Sequence, residues 1–208
     1  MKSVNSTVED INRLCQRLGY TFDRTNLLAE AFRHASYVNE RSEPGEKDNE
    51  RLEFLGDAVL DLAISHILME FFQDVNEGDL SKYRAAVVDE KGLCQVAEGL
   101  GLGDFIFLGK GEEQTNGRRK PSILANTMEA LLGALYLDAG FARTKDIILS
   151  LFLPLIRETD SHKAKGDYKS LLQEHTQAVH KTRPDYLITG ESGPAHDKTF
   201  KVAILLNG

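Results

Sequence analysis

The sequence predicts an all-α domain followed by a small α+β domain. Over roughly the first 155 residues, apolar side chains recur at helical spacing, glycine or proline marks the breaks, and no segment alternates as a strand. Two runs with strand character come later, Tyr186–Thr189 and Thr199–Leu206, on either side of a Gly193-Pro194 turn. One helix, from about Asp167 to Val179, precedes them, so the second domain has the order helix, strand, strand.

The length of 208 residues leaves room for both domains. We expect them at residues 6–158 and 167–208, with a short polar linker at 159–166. Hydrophobic residues make up 41% and charged residues 27% of the chain, as in soluble globular proteins, and no apolar run could span a bilayer. The first ten residues do not form a secretory signal, so we expect a cytoplasmic protein without a membrane partner.

Seven candidate helices make up the all-α domain, each with an apolar stripe and a break at its ends. They run from about Thr7 to Leu18, Asn26 to Phe32, Asn49 to Phe72, Glu77 to Val88, Glu90 to Gly99, Ser122 to Asp138 and Ala142 to Ile156. Asn49 and Ser122 stand where N-cap residues are expected. Segments 41–47 and 109–121 are expected to be loops. Cys15 and Cys94 lack the spacing of a zinc site or a disulfide framework and are interpreted as reduced thiols.

The charge is uneven along the chain. A net charge of −7 argues at first against a nucleic-acid ligand, because phosphate binding normally requires a basic surface. From Ser161 onward, however, 7 basic residues outnumber 5 acidic ones, whereas 18 basic and 27 acidic residues precede it. The sequence therefore combines an acidic body with a mildly basic tail.

One candidate helix carries three carboxylates on a single face. Glu50, Glu53 and Asp57 follow Asn49 at positions i, i+3 and i+7, and most of their neighbours are apolar, so the helix is expected to be buried on several sides. Like charges at this spacing repel, which suggests that a cation offsets them. Gly56 favours this interpretation, since a glycine inside a helix usually marks the close approach of another backbone.

A simpler interpretation of the same helix remains open. Glu50 would favour the positive helix N-terminus, and Glu53 and Asp57 would face water. Asp61, one turn further on, is interpreted as a solvent-facing residue.

The helix from Ser122 to Asp138 adds Asn126 and Glu129 at spacing i, i+3. A buried carboxylate is costly unless it is paired or bound to a metal, and this helix contains no lysine or arginine. If the two acidic helices pack face to face, Glu53, Asp57, Asn126 and Glu129 form an all-oxygen site that suits Mg²⁺ or Mn²⁺. Neither acidic run contributes a histidine or cysteine to this set, which disfavours zinc.

These two helices resemble those of the ribonuclease III family. The run Glu50-Arg-Leu-Glu-Phe-Leu-Gly-Asp-Ala-Val-Leu60 looks like the family signature, and Ser122 to Asp138 resembles its second acidic helix. Further matches are His34 to Glu40, Gly78 to Ala86 and Leu100 to Asp104. The resemblance therefore extends over most of the chain.

The resemblance implies a homodimeric endonuclease of double-stranded RNA that depends on Mg²⁺, with Mn²⁺ able to substitute. Glu53, Asp57 and Glu129 would be metal ligands, with Asp57 and Glu129 most critical for cleavage and Glu50 an outer acidic contributor. Phe54 matches the dimer-contact aromatic of the family, although an ordinary core phenylalanine would fit its spacing as well. The products would carry a 5′-phosphate, a 3′-hydroxyl and two-nucleotide 3′ overhangs, in the maturation of ribosomal and other structured transcripts.

Position 126 departs from the family pattern. The family most often has Asp where this chain has Asn126, through either natural variation or an introduced substitution. An amide oxygen can still bind a hard cation, but one negative charge is lost. We include Asn126 as the fourth metal ligand.

The tail is similar to a double-stranded-RNA-binding domain, which reads RNA shape across successive minor grooves. Gln173 and Gln177 match positions that reach one minor groove, and His196 matches the loop that reaches the next. The third strand and last helix of that domain are missing from the sequence, so the domain is expected to be incomplete, with α-β-β order only. The basic turn 117–121 is expected either to contact phosphates or to be a solvated loop.

Two other functions compete with the nuclease. A protein that holds duplex RNA without cutting it would be consistent with Asn126 and with the incomplete tail. A di-metal helical bundle for oxygen chemistry would need a Glu-x-x-His pair, and the acidic helices contain none.

Overall fold

The computed structural model describes residues 4–41, 43–163, 168–194 and 198–206. Contacts divide the chain into two compact units, residues 1–159 and 160–208. Within the described ranges, no helix has the length and apolarity needed to cross a membrane.

The first unit is helical, as the sequence predicts. In chain order the helices are α1 Val4–Leu18, α2 Thr25–Ala31, α3 Ala35–Arg41, α4 Glu50–Phe71, α5 Glu77–Val88, α6 Glu90–Leu100, α7 Lys110–Gln114 and α8 Pro121–Lys163. Two single 3₁₀ turns lie at Leu102–Asp104 and Gly117–Arg119. Helix α8 is interrupted at Gly140, whose φ of 76° is a conformation that favours glycine, so the two helices predicted on either side of this point are confirmed.

Helices α3 and α7 were not predicted. Both are short, at seven and five residues, and neither buries a residue, so they lack the apolar stripe that identifies a helix in sequence. Helix α8 extends through Lys163, and therefore five residues of the segment expected as a linker, 159–163, are helical.

Of the two predicted N-caps, Asn49 occupies the N-cap position of α4, although its side chain does not cap the helix, whereas the prediction for Ser122 is wrong. Asn49 is 2% exposed and has helix-like backbone angles, and its side chain donates to the Ala31 carbonyl at 3.2 Å, linking α4 to α2. The Asp48 carboxylate accepts instead from the Glu50 amide at 3.2 Å. Ser122 lies inside α8, which begins at Pro121; proline suits a first helical position because its missing N–H would have no partner there.

Helices α4 and α8 supply much of the core of the first unit. Their fully buried side chains include Ile64, Ile67 and Leu68 on α4, and Met128, Leu131, Leu132 and Leu135 on α8. Burial of side chains of this size stabilises a fold by about 1.5–3 kcal/mol each. The helices that carry the predicted acidic residues are thus held by the core itself.

The second unit contains α9 Tyr168–His180, β1 Asp185–Ser192 and β2 Thr199–Leu205. The strands pair antiparallel, from Asp185 with Leu205 to Ser192 with Thr199, and the register shifts between Ile188 and Gly190. The predicted order of helix, strand, strand is confirmed. Several apolar side chains of this sheet are exposed, among them Ile188 at 67%, and Val202 and Ile204 at 48% each.

Candidate active site

The site begins at a close crossing of α4 and α8 through two glycines. A Cβ atom added to Gly56 would lie 1.8 Å from the Glu129 carbonyl oxygen, and one added to Gly133 would lie 2.2 Å from the Leu52 carbonyl oxygen. No side chain fits at either position, so the two backbones pack directly against each other. The close approach predicted from Gly56 is confirmed. Gly133 makes the reciprocal contact and was not predicted.

This crossing brings the acidic residues of the two helices together. The pKa of Glu129 is raised to about 7, first by burial and then by the charges of Asp57 and Glu53 across the helix interface. Burial also raises the pKa of Glu53, with the Glu50 charge next. The amide of Asn126 donates a hydrogen bond to Glu53, which partly offsets this rise. The four predicted ligands therefore act on one another.

The acids differ in their access to solvent. Glu50, Asp57 and Asn126 are exposed, whereas Glu53 and Glu129 are half-buried. Glu129 is thus less buried than its apolar neighbours in the sequence implied. Among the described residues, no lysine or arginine shifts the pKa of Glu53 or Glu129. The repulsion between the carboxylates is therefore not offset by a basic side chain of this part of the chain.

Asp61 also belongs to this acidic face. It is half-buried, and its charge raises the pKa of Glu129. Interpreting Asp61 as a purely solvent-facing residue was therefore wrong. The signal that could have identified it is its position four residues after Asp57, on the same side of α4.

The donor chemistry fits a hard divalent cation. Carboxylate and amide oxygens are the ligands that Mg²⁺ and Mn²⁺ select. In the described ranges, however, no three His, Cys, Asp or Glu side chains lie close enough together to hold a metal ion. A tight ligand shell would require side-chain rotation that brings the carboxylate oxygens closer. The backbone places the residues, and the side chains do not form a preassembled cage.

Phe54 points out of α4 beside the acidic face. It is 81% exposed, and Leu62 and Met69 on the same helix are 58% and 67% exposed. We expected α4 to be buried on several sides, and these residues contradict that. An apolar stripe of this kind on a folded protein marks an interaction surface.

The basic turn before α8 is largely occupied by internal contacts. Arg118 donates to the carbonyls of Gly103 at 3.0 Å and Ile106 at 2.7 Å, and to Glu113 at 2.8 Å. Lys120 donates to Glu112 at 2.6 Å. Of the two outcomes expected for this turn, neither fits Arg118 and Lys120, because both hold the fold together; Arg119 is exposed.

The predicted RNA-binding residues belong to the second unit. Gln173 is half-buried and Gln177 is exposed, both on α9. His196 lies outside the described residues.

Two family models match the chain. A model described as Ribonuclease-III-like matches residues 24–156, and one described as double-stranded RNA binding motif matches residues 168–208. The first covers all the residues of the acidic face. The second covers the helix-strand-strand unit.

Curated relatives are similar over most of the chain. Ribonuclease 3 of Syntrophobacter fumaroxidans is 49% identical over 204 residues, covering 96% of this chain and 84% of the relative. Ribonuclease 3 of Oceanobacillus iheyensis is 48% identical over 198 residues, covering 95% and 86%.

Solved structures of similar fold include the nuclease domain of ribonuclease III from Campylobacter jejuni. One such structure, whose subject is flexibility in a region involved in dimer formation, is 46% identical with a TM-score of 0.64. The match covers 69% of this chain and 96% of that one.

Proposed function

This chain belongs to the ribonuclease III family of double-stranded-RNA endonucleases, and from that premise we propose that its cleavage site is the acidic face formed by Glu53, Asp57, Asn126 and Glu129. One observation carries the proposal. Carboxylates of two helices repel one another across a glycine crossing, and no basic side chain is among the described groups that shift their pKa. An arrangement that costs stability in this way is typical of a site that binds a cation.

Each residue has a distinct role in the proposed site. Asp57, Glu129 and Glu53 hold a divalent metal, Mg²⁺ with Mn²⁺ able to substitute, and Asp57 and Glu129 are the most critical for cleavage. Asn126 supplies its amide oxygen as a fourth ligand, and Glu50 adds negative charge at the edge. A metal held by these residues would lower the pKa of a coordinated water and would polarise the scissile phosphate.

Asn126 has a second task in this proposal. Its N–H group donates to Glu53, which restrains that carboxylate and partly compensates its repulsion by Glu50. The amide can bond Glu53 through nitrogen while its oxygen remains free for the metal. A carboxylate at this position could not donate such a bond.

We further propose that two copies of the chain act together through the exposed stripe of Phe54, Leu62 and Met69. Because each copy would cut one strand of the duplex at an offset position, the products would carry two-nucleotide 3′ overhangs. Attack of water on the phosphate with release of the 3′ oxygen would leave a 5′-phosphate and a 3′-hydroxyl at each cut. The exposed Phe54 supports the homodimer, as does the dimer-forming region named for the Campylobacter jejuni nuclease domain.

The second unit carries the match to the double-stranded RNA binding motif, and we propose that Gln173, Gln177 and His196 contact minor grooves there. The proposed domains are residues 6–158 and 167–208, with 159–166 between them. The proposed biological role is the processing of ribosomal RNA precursors and other structured transcripts in the cytoplasm.

A cleavage assay tests the proposal. The whole chain is incubated with long duplex RNA in Mg²⁺, in Mn²⁺ and in chelator, and the product ends are mapped. We expect cleavage with either metal, none in chelator, and a loss of at least about a thousandfold in Glu129→Gln with duplex binding retained. Glu98→Gln, an exposed glutamate on α6, is the matched control and should cut like the parent.

The rival function is duplex binding without cleavage. It is supported if the parent binds duplex RNA but does not cut it at any metal concentration. Cleavage that survives Glu129→Gln would remove Glu129 from the site and leave the family assignment untouched.

A further inference from the structure

A polar row extends along α4 beyond the proposed ligands. Glu53, Asp57, Asp61 and Ser65 follow one another at intervals of four residues, so they lie on one side of the helix about 6 Å apart along its axis. The first three are acidic. The charge of Asp61 acts on Glu129, which places this part of the row beside the proposed cleavage site.

Ser65, at the end of the row, is bonded to an arginine of the neighbouring helix. Its hydroxyl donates to the Asp61 carbonyl at 2.7 Å and accepts from Arg84 Nη1 at 3.0 Å. Arg84 belongs to α5 and is half-buried. The guanidinium is therefore anchored one helical turn beyond Asp61.

Arg84 has no carboxylate partner among the described residues. One of its five N–H donors is used by Ser65, and no ion pair to an Asp or Glu accompanies that bond. Arg118, another half-buried arginine of the first unit, is different, since its guanidinium contacts Glu113 and two backbone carbonyls. Arg118 is satisfied by the fold, whereas most of the donors of Arg84 face no described acceptor.

We propose that Arg84 binds a backbone phosphate of the duplex beside the scissile one. A guanidinium matches a phosphate with two parallel hydrogen bonds, and half-burial limits its hydration and its freedom. The row places Ser65 about 12 Å from Asp57 along the helix axis, too far for the scissile phosphate but within reach of its neighbours. The proposal rests on the placement of the cleavage site at Asp57 and Glu129.

The net negative charge of this part of the chain explains why a phosphate-binding arginine is needed. Before Ser161 the chain has 18 basic and 27 acidic residues, so the average field repels RNA. A fixed cation at the end of the acidic row provides a local attraction and sets how the strand lies on α4. Arg84 is in this sense a substrate-binding residue that aligns the strand with the site.

Duplex binding measured against salt tests the proposal. The whole chain carries Glu129→Gln to prevent cutting, and the duplex has about 30 base pairs, roughly twice the span of one RNA-binding domain. Between about 50 and 200 mM salt, Arg84→Gln should weaken binding about tenfold at the low end and reduce the slope of log Kd against log salt by about 1. Arg84→Lys should keep the slope, because the charge is retained.

Two further variants separate binding from structure. Lys82→Gln removes an exposed cation of the same helix that pairs with Asp79, and it should leave the slope within error of the parent. Ser65→Ala in the cleaving protein frees the guanidinium; it should raise KM severalfold with little change in kcat, since strand alignment and not chemistry is affected. If Arg84→Gln does not fold, these two variants still test whether Arg84 binds a phosphate.

Three results would overturn the proposal. The first is a slope of log Kd against log salt in Arg84→Gln that equals that of the parent. The second is a slope change in Lys82→Gln as large as that in Arg84→Gln. The third is loss of the dimer when Arg84→Gln is sedimented, which would show that Arg84 pairs with a carboxylate of a second copy. Cleavage that persists in Glu129→Gln would displace the cleavage site instead, and the salt slope would still decide whether Arg84 binds phosphate.

Discussion

Two carboxylates nine residues apart on α8 have opposite environments. The Asp138 side chain has no exposed surface, and it accepts hydrogen bonds from the Tyr20 hydroxyl, the backbone N–H of Asp23, and the backbone N–H and Nε of Arg24, all between 2.9 and 3.0 Å. Burial by itself raises the pKa of Asp138, but these hydrogen bonds outweigh it and lower the pKa below its usual value. The same contact affects Tyr20, because burial and the hydrogen bond to Asp138 raise the pKa of Tyr20 to about 12.

Glu129 is also partly buried but faces acids in place of donors. Burial and the charges of Asp57 and Glu53 raise its pKa to about 7. Burial acts in the same direction on both residues, so the difference lies in their partners. A carboxylate that the fold surrounds with donors stabilises the fold, whereas one that the fold surrounds with acids remains available for an ion.

Replacing the satisfied carboxylate should have the largest effect on stability. Asp138→Asn removes a charge that accepts four hydrogen bonds and places an N–H₂ group against donors, which should cost about 3 kcal/mol. For a unit of this size that is a fall in Tm of roughly 6–12 °C. Thermal melts should show this fall, and Asp146→Asn, an exposed position on the same helix, should melt like the parent. A shift in Asp138→Asn of under about 2 °C would contradict the structural role.

Separating α4 from α8 at the glycine crossing tests whether this crossing positions the acidic residues around Glu129. Gly133→Ala forces α4 and α8 apart, because the new methyl group would lie 2.2 Å from the Leu52 carbonyl oxygen, and we expect a loss of about 1–3 kcal/mol in the free energy of unfolding. Metal affinity, measured by calorimetry with Mn²⁺, should fall as well because the ligands separate.

Gly92→Ala and Gly99→Ala are the controls for this experiment. A methyl group at Gly92 would lie 2.5 Å from the Val87 carbonyl oxygen, so it should destabilise the fold without changing Mn²⁺ affinity. Gly99 has nothing within 4 Å and lies in α6, so alanine there should stabilise by about 0.5–1 kcal/mol. Equal losses of Mn²⁺ affinity in Gly133→Ala and Gly92→Ala would count against the crossing as the element that positions the ligands.

The two carboxylates should also give stability opposite dependences on pH. The folded-state pKa of Glu129 is raised to about 7, so ionisation of this residue destabilises the folded protein. This destabilisation is absent below the unfolded pKa of about 4.5, grows as pH rises, and is complete above pH 7. Without metal, Glu129→Gln should therefore be more stable than the parent above pH 7, by roughly 1–2 kcal/mol after discounting for its partial exposure. That advantage should vanish towards pH 4.5.

The contribution of Asp138 has the reverse sign. Its folded-state pKa is lowered, so it stabilises the protein above its unfolded pKa, and this stability is lost as pH falls through the folded value. Urea melts of the parent, Glu129→Gln and Asp138→Asn between about pH 4 and 8 measure both effects. Parallel curves for all three proteins would show that the environments do not differ as described.

The smallest stability change is expected at Asn126. Asn126→Asp adds a further negative charge to the acidic face and removes the hydrogen bond to Glu53, which should cost less than about 1 kcal/mol without metal because the residue is exposed. Mg²⁺ affinity should rise about tenfold, and activity at limiting metal should rise with it. An unchanged Mg²⁺ titration would remove Asn126 from the ligand set.

Much of the fold follows from local pattern. Apolar periodicity predicts the long helices, since a stripe of buried residues has the same spacing wherever the helix packs. The same pattern cannot identify α3 and α7, which bury nothing, nor distinguish Phe54, 81% exposed, from a core phenylalanine. Whether an apolar side chain on a helix is buried or exposed depends on which other helices pack against it, and local sequence does not show this.

The sequence by itself determined the two-domain order, the acids at 50, 53, 57 and 129, and a close approach at Gly56. Only the tertiary structure decided what those acids and their neighbours do: Asp138 became a structural residue, Asp61 joined the acidic face, and Arg84 came to lie at its end. The reason is that helical spacing is a local property, whereas the ionisation and role of a carboxylate depend on partners brought from far along the chain. Tyr20 and Asp138 are 118 residues apart, and no local pattern relates them.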